Sequence, residues 1–185
     1  ICLRVLTSNI SHSQSVAILI SVGAGSRYEP PELAGLSHFL EHLPFKGTER
    51  WPTARLISET IEGVGGIMNA STDREMTVFW CKVAKPHYKQ SLAVLLDMIL
   101  RPILDPEEME KEREVIQEEL RMTYDYPRQL VDLLIDDILW PDQPMGRDVG
   151  GTIDTVKSIS LSDVEDYMAH QYNPHHTVIS VAGNI

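Results

Sequence analysis

His38-Phe39-Leu40-Glu41-His42 sets two imidazoles and a carboxylate within five residues. On a helix, at 100° per residue, His38, Glu41 and His42 fall inside an arc of roughly 100°, with Leu36, Leu40 and Leu43 on the opposite side. Ala34, one turn back, leaves the polar face clear. Two His at i and i+4 can each aim a ring nitrogen at one ion, and a carboxylate between them can reach a water on that ion without being a ligand. The competing reading is a solvated helix face that carries two His and a Glu by coincidence.

A site of this kind needs a third protein ligand, with the fourth position left for water. The helix expected after Pro106 supplies acids where a solvated face does not explain them. With Glu112 at zero on the helical wheel, Met109, Val115, Ile116 and Leu120 lie within roughly 80° of it and Glu119 about 20° away, so both acids fall in the apolar stripe. Glu110, Glu114 and Glu118 read as solvated surface. Glu108 lies near the stripe but in the first turn, where an acid meets the helix dipole favourably. Burying an ionised carboxylate is costly unless a cation compensates it. The two acids therefore predict either a metal ion or a buried Arg or Lys, for which Arg27, Arg55 and Arg74 are available. The wheel does not rank Glu112 against Glu119.

These residues must be positioned by a framework, and hydropathy patterning outlines it. Residues 3–8 and 15–24 are Val-, Ile- and Leu-rich and separated by polar residues, as in two antiparallel strands joined by a hairpin loop. A helical segment follows Pro30-Pro31 to about Leu43, and a second runs from Thr53 to Glu62, with Gly63 where helices stop. Ile67–Ser71 and Met76–Ala84 read as strands. Helices are expected after Pro86, from Pro106 to about Tyr124, and over Leu130–Leu139. Ser162-Asp163-Val164-Glu165 resembles a capping box ahead of a short helix and the last strand, Thr177–Ala182. Strands and helices come in groups, so the expected class is α+β, a mostly antiparallel β-sheet with helices packed on one face.

The 185 residues are enough for one domain with a sizeable core. A formal charge of −11, from 16 Lys+Arg against 27 Asp+Glu, argues against nucleic-acid or anionic-membrane partners. No apolar stretch is long enough to span a bilayer. Cys2 and Cys81 make no disulfide framework, and Cys81 reads as a small core residue. His12, His87, His170, His175 and His176 lack a third partner at ligand spacing and read as loop or helix-end residues. The chain opens at Ile1 without Met and stops in a strand-like run, as expected of a piece of a longer protein.

The pentapeptide inverts the common zinc-protease order. Together with Glu119, Gly23-Ala24-Gly25-Ser26-Arg27-Tyr28-Glu29, Phe45-Lys46-Gly47-Thr48, Gly65-Gly66-Ile67-Met68-Asn69-Ala70-Ser71-Thr72 and Pro144-Met145-Gly146-Arg147, it resembles the M16 metallopeptidases over nearly the whole chain. That family includes pitrilysin, insulin-degrading enzyme and mitochondrial processing peptidase, and the compact spacing is most similar to the bacterial processing-protease-like and mitochondrial processing peptidase branch. The resemblance implies that His38, His42 and Glu119 bind one Zn2+ per chain, that Glu41 is the general base, and that Glu112 orients a His ring through its second nitrogen. It also implies that Ile67–Thr72 is an edge strand pairing with extended peptide substrate, with Asn69 and Ala70 as substrate contacts. Residues 1–185 then correspond to a single N-terminal peptidase domain of a zinc metalloendopeptidase, whose substrates are short or unfolded peptides. The remaining M16 domains or a partner subunit complete the enclosure, and self-association through the surfaces meant for them is a further outcome. Zinc binding is accordingly expected to outlast efficient proteolysis in the isolated domain. A non-catalytic binding or scaffold subunit is the alternative. The implied compartment is the bacterial cytoplasm, with the mitochondrial matrix as alternative.

Overall fold

The computed structural model describes residues 2–185. Strands β1 (Arg4–Asn9), β2 (Ser15–Val22), β3 (Ile67–Thr72), β4 (Thr77–Ala84) and β5 (Thr177–Gly183) form one sheet in the order β1-β5-β2-β4-β3. The β2–β4, β2–β5 and β3–β4 pairings are antiparallel and β1–β5 is parallel, so the sheet is mixed but mostly antiparallel. Helices α1 (Leu36–His42), α2 (Ala54–Ile61), α3 (Tyr88–Leu100), α4 (Pro106–Asp125), α5 (Pro127–Leu139), α6 (Ile153–Ser158) and α7 (Leu161–Gln171) complete the α+β arrangement.

The expected hairpin between the first two strands does not form. β5 lies between them, parallel to β1 and antiparallel to β2. Burial explains why proximity in sequence loses. β5 alternates strictly, with Ile179 and Val181 turned into the core, whereas every residue of β1 is exposed. A strand with a face to bury gains more from a central position than one without.

Alternation in β2 and β4 puts Val16, Ile18, Ile20, Phe79 and Cys81 on one sheet face, each at most 1% exposed. Ile57 and Ile61 of α2 and Val94, Leu95 and Met98 of α3 pack onto that face. A second apolar cluster joins Val22 and Ala24 to Leu36, Phe39 and Leu40 of α1, Met109, Ile116 and Leu120 of α4, and α6 and α7. It clamps α1 against α4, the two helices that carry the candidate site.

Three helix ends differ from expectation. After α2 the chain tightens into a 3-10 turn, Glu62–Val64, and the left-handed residue is Gly65, with φ +77°, not Gly63. The capping box of α7 begins at Ser160: its hydroxyl accepts the Asp163 N–H (3.2 Å) while Asp163 Oδ2 accepts the Ser160 N–H (2.8 Å). Ser162 follows the same Ser-x-x-acid pattern but lies inside the helix. α6, unforeseen in the sequence, is capped in the same way by Thr152 and Thr155.

Candidate metal centre

The apolar side of α1 is anchored first. Leu36, Phe39, Leu40 and Leu43 are at most 1% exposed, and full burial of such side chains stabilises by about 1.5–3 kcal/mol each. The start of the helix is fixed from a distance, because the preceding residue, Gly35, has no side chain to cap it. The Glu29 carboxylate accepts the N–H groups of Gly35 (2.8 Å) and Ser37 (2.6 Å). Burial pushes the Glu29 carboxyl above its ordinary value, opposed by those hydrogen bonds and by the Arg147 charge. Arg147 donates to the carbonyls of Ser26 (3.1 Å) and Glu29 (2.8 Å), tying the loop after α5 to the same anchor. Gly35 itself has φ +98°, and a Cβ there would lie 2.4 Å from the Gly150 carbonyl oxygen.

α4 is set in register by Arg113. Its guanidinium lies 5.2 Å from the centre of the Phe39 ring and donates to the backbone carbonyls of Val156 and Ile159. Arg113 and Gln117 are therefore buried, while Val115, placed in the stripe by the wheel, is 43% exposed. Glu112 is 5% exposed, as the wheel predicts, but the Glu119 side chain is 45% exposed because the last turns of α4 run beside an open cavity.

With α1 and α4 clamped, His38 Nε2 and His42 Nε2 lie 3.2 Å apart, and Glu119 Oε2 is 3.6 Å and 3.7 Å from them. All three ligand atoms lie within 4.8 Å of one another. Atoms bound to a tetrahedral zinc ion at 2.0–2.2 Å lie roughly 3.3–3.6 Å apart, so the cluster has the right size. Two imidazole nitrogens and one carboxylate oxygen are also a donor set suited to zinc.

Protonation fits as well. His42 Nδ1 donates to Glu112 Oε2 at 3.0 Å, which leaves the Nε2 lone pair facing His38 and Glu119. Burial, reinforced by the neighbouring His42, lowers the His38 pKa to about 4, so its imidazole is neutral and able to bind metal near neutral pH. His38 Nδ1 is buried without a hydrogen-bond partner among the described residues.

Glu41 leaves α1 beside this cluster, and Thr72 at the end of β3 donates to its Oε2 at 2.5 Å. His38, Glu41, Ala70, Thr72 and Glu119 line one cavity of about 360 Å3, together with Asp148–Gly150. β3 forms the sheet edge along it, and Asn69 Oδ1 accepts the Ala70 N–H at 2.9 Å.

The compensating cation for Glu112 is Lys46, whose Nζ lies 2.5 Å from Glu112 Oε1. The three guanidinium groups considered from the sequence are engaged elsewhere: Arg27 with Glu75, Arg55 with Glu59 and Arg74 with Asp136. Sequence reasoning missed Lys46, Thr72 and Asp148. Lys46 carried a usable signal, since it stands four residues after His42, and Thr72 closes the expected substrate strand; nothing in the pattern pointed to Asp148. Cys81 is fully buried and burial pushes its thiol up to about 12, in keeping with a core residue. No helix among the described residues is long and apolar enough to cross a membrane.

The profile described as Insulinase (Peptidase family M16) matches residues 4–153. An uncharacterized zinc protease, YmxG, of Bacillus subtilis is 40% identical over 182 residues, 98% of this chain and 44% of that protein. The beta subunit of the mitochondrial-processing peptidase of Saccharomyces cerevisiae is 36% identical over 186 residues, 99% of this chain and 39% of that one. The chain thus spans less than half the length of these relatives. In fold, a protease from Helicobacter pylori superposes with a TM-score of 0.93 at 23% identity, covering 100% of this chain and 46% of that one.

Proposed function

The chain belongs to the insulinase family of peptidases, family M16, and on that premise we propose that it is the metal-bearing domain of a larger zinc metalloendopeptidase acting on short or unfolded peptides. The observation that carries this reading is the convergence of His38, His42 and Glu119 ligand atoms within 4.8 Å, with Glu41 on the wall of the same cavity. His38, His42 and Glu119 hold one zinc ion per chain. When bound, zinc supplies a Lewis acid that acidifies a water and polarises a peptide carbonyl. Glu41 accepts the proton of the attacking water and returns it to the leaving amine, its carboxylate held in place by the Thr72 hydroxyl. Glu112 fixes the tautomer and tilt of His42.

The open edge of β3 gives the substrate a place to bind. An extended peptide adds to the edge as a further strand, which supplies backbone hydrogen bonds with little demand on sequence. Asn69 and Ala70 make the first contacts, and because Asn69 already accepts the Ala70 N–H, the incoming strand displaces that carboxamide. Residues 1–185 form one domain of the enzyme, and the rest of the enclosure comes from further domains or a partner subunit. The intact set of His38, Glu41, His42 and Glu119 favours this reading over a non-catalytic scaffold subunit.

The test is cleavage of an unstructured peptide by the full-length protein that contains this chain. Glu41→Gln is expected to lower kcat/KM by about 10²–10⁴-fold, the usual contribution of a general base. An unchanged rate would remove Glu41 from that role.

A further inference from the structure

Glu112 presents its two oxygens to two different groups. Oε2 receives the His42 Nδ1–H at 3.0 Å and Oε1 meets Lys46 Nζ at 2.5 Å, while the residue as a whole is 5% exposed. Lys46 stands one turn beyond His42, after the 3-10 turn Leu43–Phe45 that prolongs α1, so both side chains leave the same side of one helical segment. The carboxylate of α4 thus bridges two positions of α1 and its extension. Among the described residues, Lys46 is the one lysine or arginine within ion-pair distance of Glu112.

We propose that Lys46 is a positioning residue of the metal centre, acting through Glu112 on His42. This rests on the assignment of His38, His42 and Glu119 as zinc ligands. A carboxylate shut away from water needs a cation beside it to stay in place against the His42 ring. Without the ammonium, Glu112 has one satisfied oxygen and one orphan, and its better arrangement is to turn toward solvent. His42 then loses the acceptor that fixes its ring tilt and keeps the Nε2 lone pair toward the ion. The pocket of about 250 Å3 between Lys46, Glu112 and Asn69 gives the carboxylate room to turn.

The experiment measures zinc affinity by competition with a chromophoric chelator, for wild type, Lys46→Met, Lys46→Gln, Glu112→Gln, Glu119→Gln and the double variant Lys46→Met/Glu112→Gln. Circular dichroism of each metal-free protein selects the folded variants, and the two Lys46 substitutions cover a folding failure of either. Loss of such a supporting partner typically weakens metal binding by about 10–100-fold, and the expected loss for Lys46→Met or Lys46→Gln is about tenfold. The double variant should bind zinc within about twofold of Glu112→Gln alone, because the two residues act as one chain. In the zinc-loaded protein, the slowly exchanging His42 Nδ1–H proton resonance should be present in wild type and lost in Lys46→Met. Unchanged affinity in the Lys46 variants, or losses that multiply in the double variant, would overturn the proposal. Equal binding by wild type and Glu119→Gln would instead overturn the ligand assignment on which it rests.

Discussion

Glu41, Glu112 and Glu119 gather around the same two histidines, yet each meets different neighbours. Glu112 is enclosed between His42 and Lys46, which suits it to hold a ring still. Glu119 stands half-exposed at the cavity, within 3.7 Å of both His Nε2 atoms, which suits a ligand. Glu41 faces the same cavity with one oxygen taken by Thr72 and the other without a hydrogen-bond partner among the described residues, which suits a base. A hydrogen bond to a charged group is worth about 1.5–3 kcal/mol, so Thr72→Val should lower kcat roughly tenfold or more in the full-length enzyme. Zinc content and KM should stay near wild type. A Thr72→Val enzyme with wild-type kcat would show that the contact does not hold Glu41 for catalysis.

At the scale of elements, the site depends on how α1 starts and on what presses against it. Gly35 combines φ +98° with close approach of the Gly150 carbonyl, so Gly35→Ala should destabilise the protein by more than about 1 kcal/mol. The denaturation midpoint in urea reads this directly, and an unchanged midpoint would mean that the loop yields without cost. α7 offers a pH signature. Hydrogen bonds from the Ser160 hydroxyl and N–H hold the Asp163 carboxyl below its ordinary value. A depressed folded pKa contributes stability above the unfolded value, near pH 4, and loses it as pH falls through the folded value. Asp163→Ala should therefore be less stable than wild type by about 0.5 kcal/mol at pH 7, and the gap should close as pH falls through the lowered folded value of Asp163. A gap independent of pH would indicate a packing effect instead. The helical periodicities of α1 and α4 made Glu41 and both candidate acids visible in the sequence, because local spacing alone decides which side chains share a face. The strand order was not visible. A chain-terminal strand inserted between β1 and β2 is set by which strands have a face to bury, and the hairpin expectation weighed only proximity. The burial of Val115 and Glu119 was misjudged for related reasons: an ideal wheel includes neither Arg113, whose hold on α6 and Phe39 draws its own side of α4 inward, nor the open cavity beside the last turns of the helix.

For the whole molecule, α1 and α4 belong to separate stretches of chain, and the second apolar cluster packs them against each other. Zinc that bridges the two helices should therefore stabilise the fold. At a free concentration about 100 times its Kd, zinc adds about 2.7 kcal/mol, which for a chain of this size raises Tm by roughly 5–11 °C in calorimetry and is reversed by chelator. Equal Tm with zinc and with chelator would contradict a bridging site. Because relatives are more than twice as long as this chain, the proposed cleavage is to be tested in the full-length protein, whereas the proposed metal binding calls only on residues gathered here. The most direct measurement is the zinc content of the purified protein by elemental analysis, for wild type, Glu41→Gln and Glu119→Gln in parallel. About one zinc per chain is expected in wild type and in Glu41→Gln, with little or none retained by Glu119→Gln. The same zinc content in all three proteins would contradict the account.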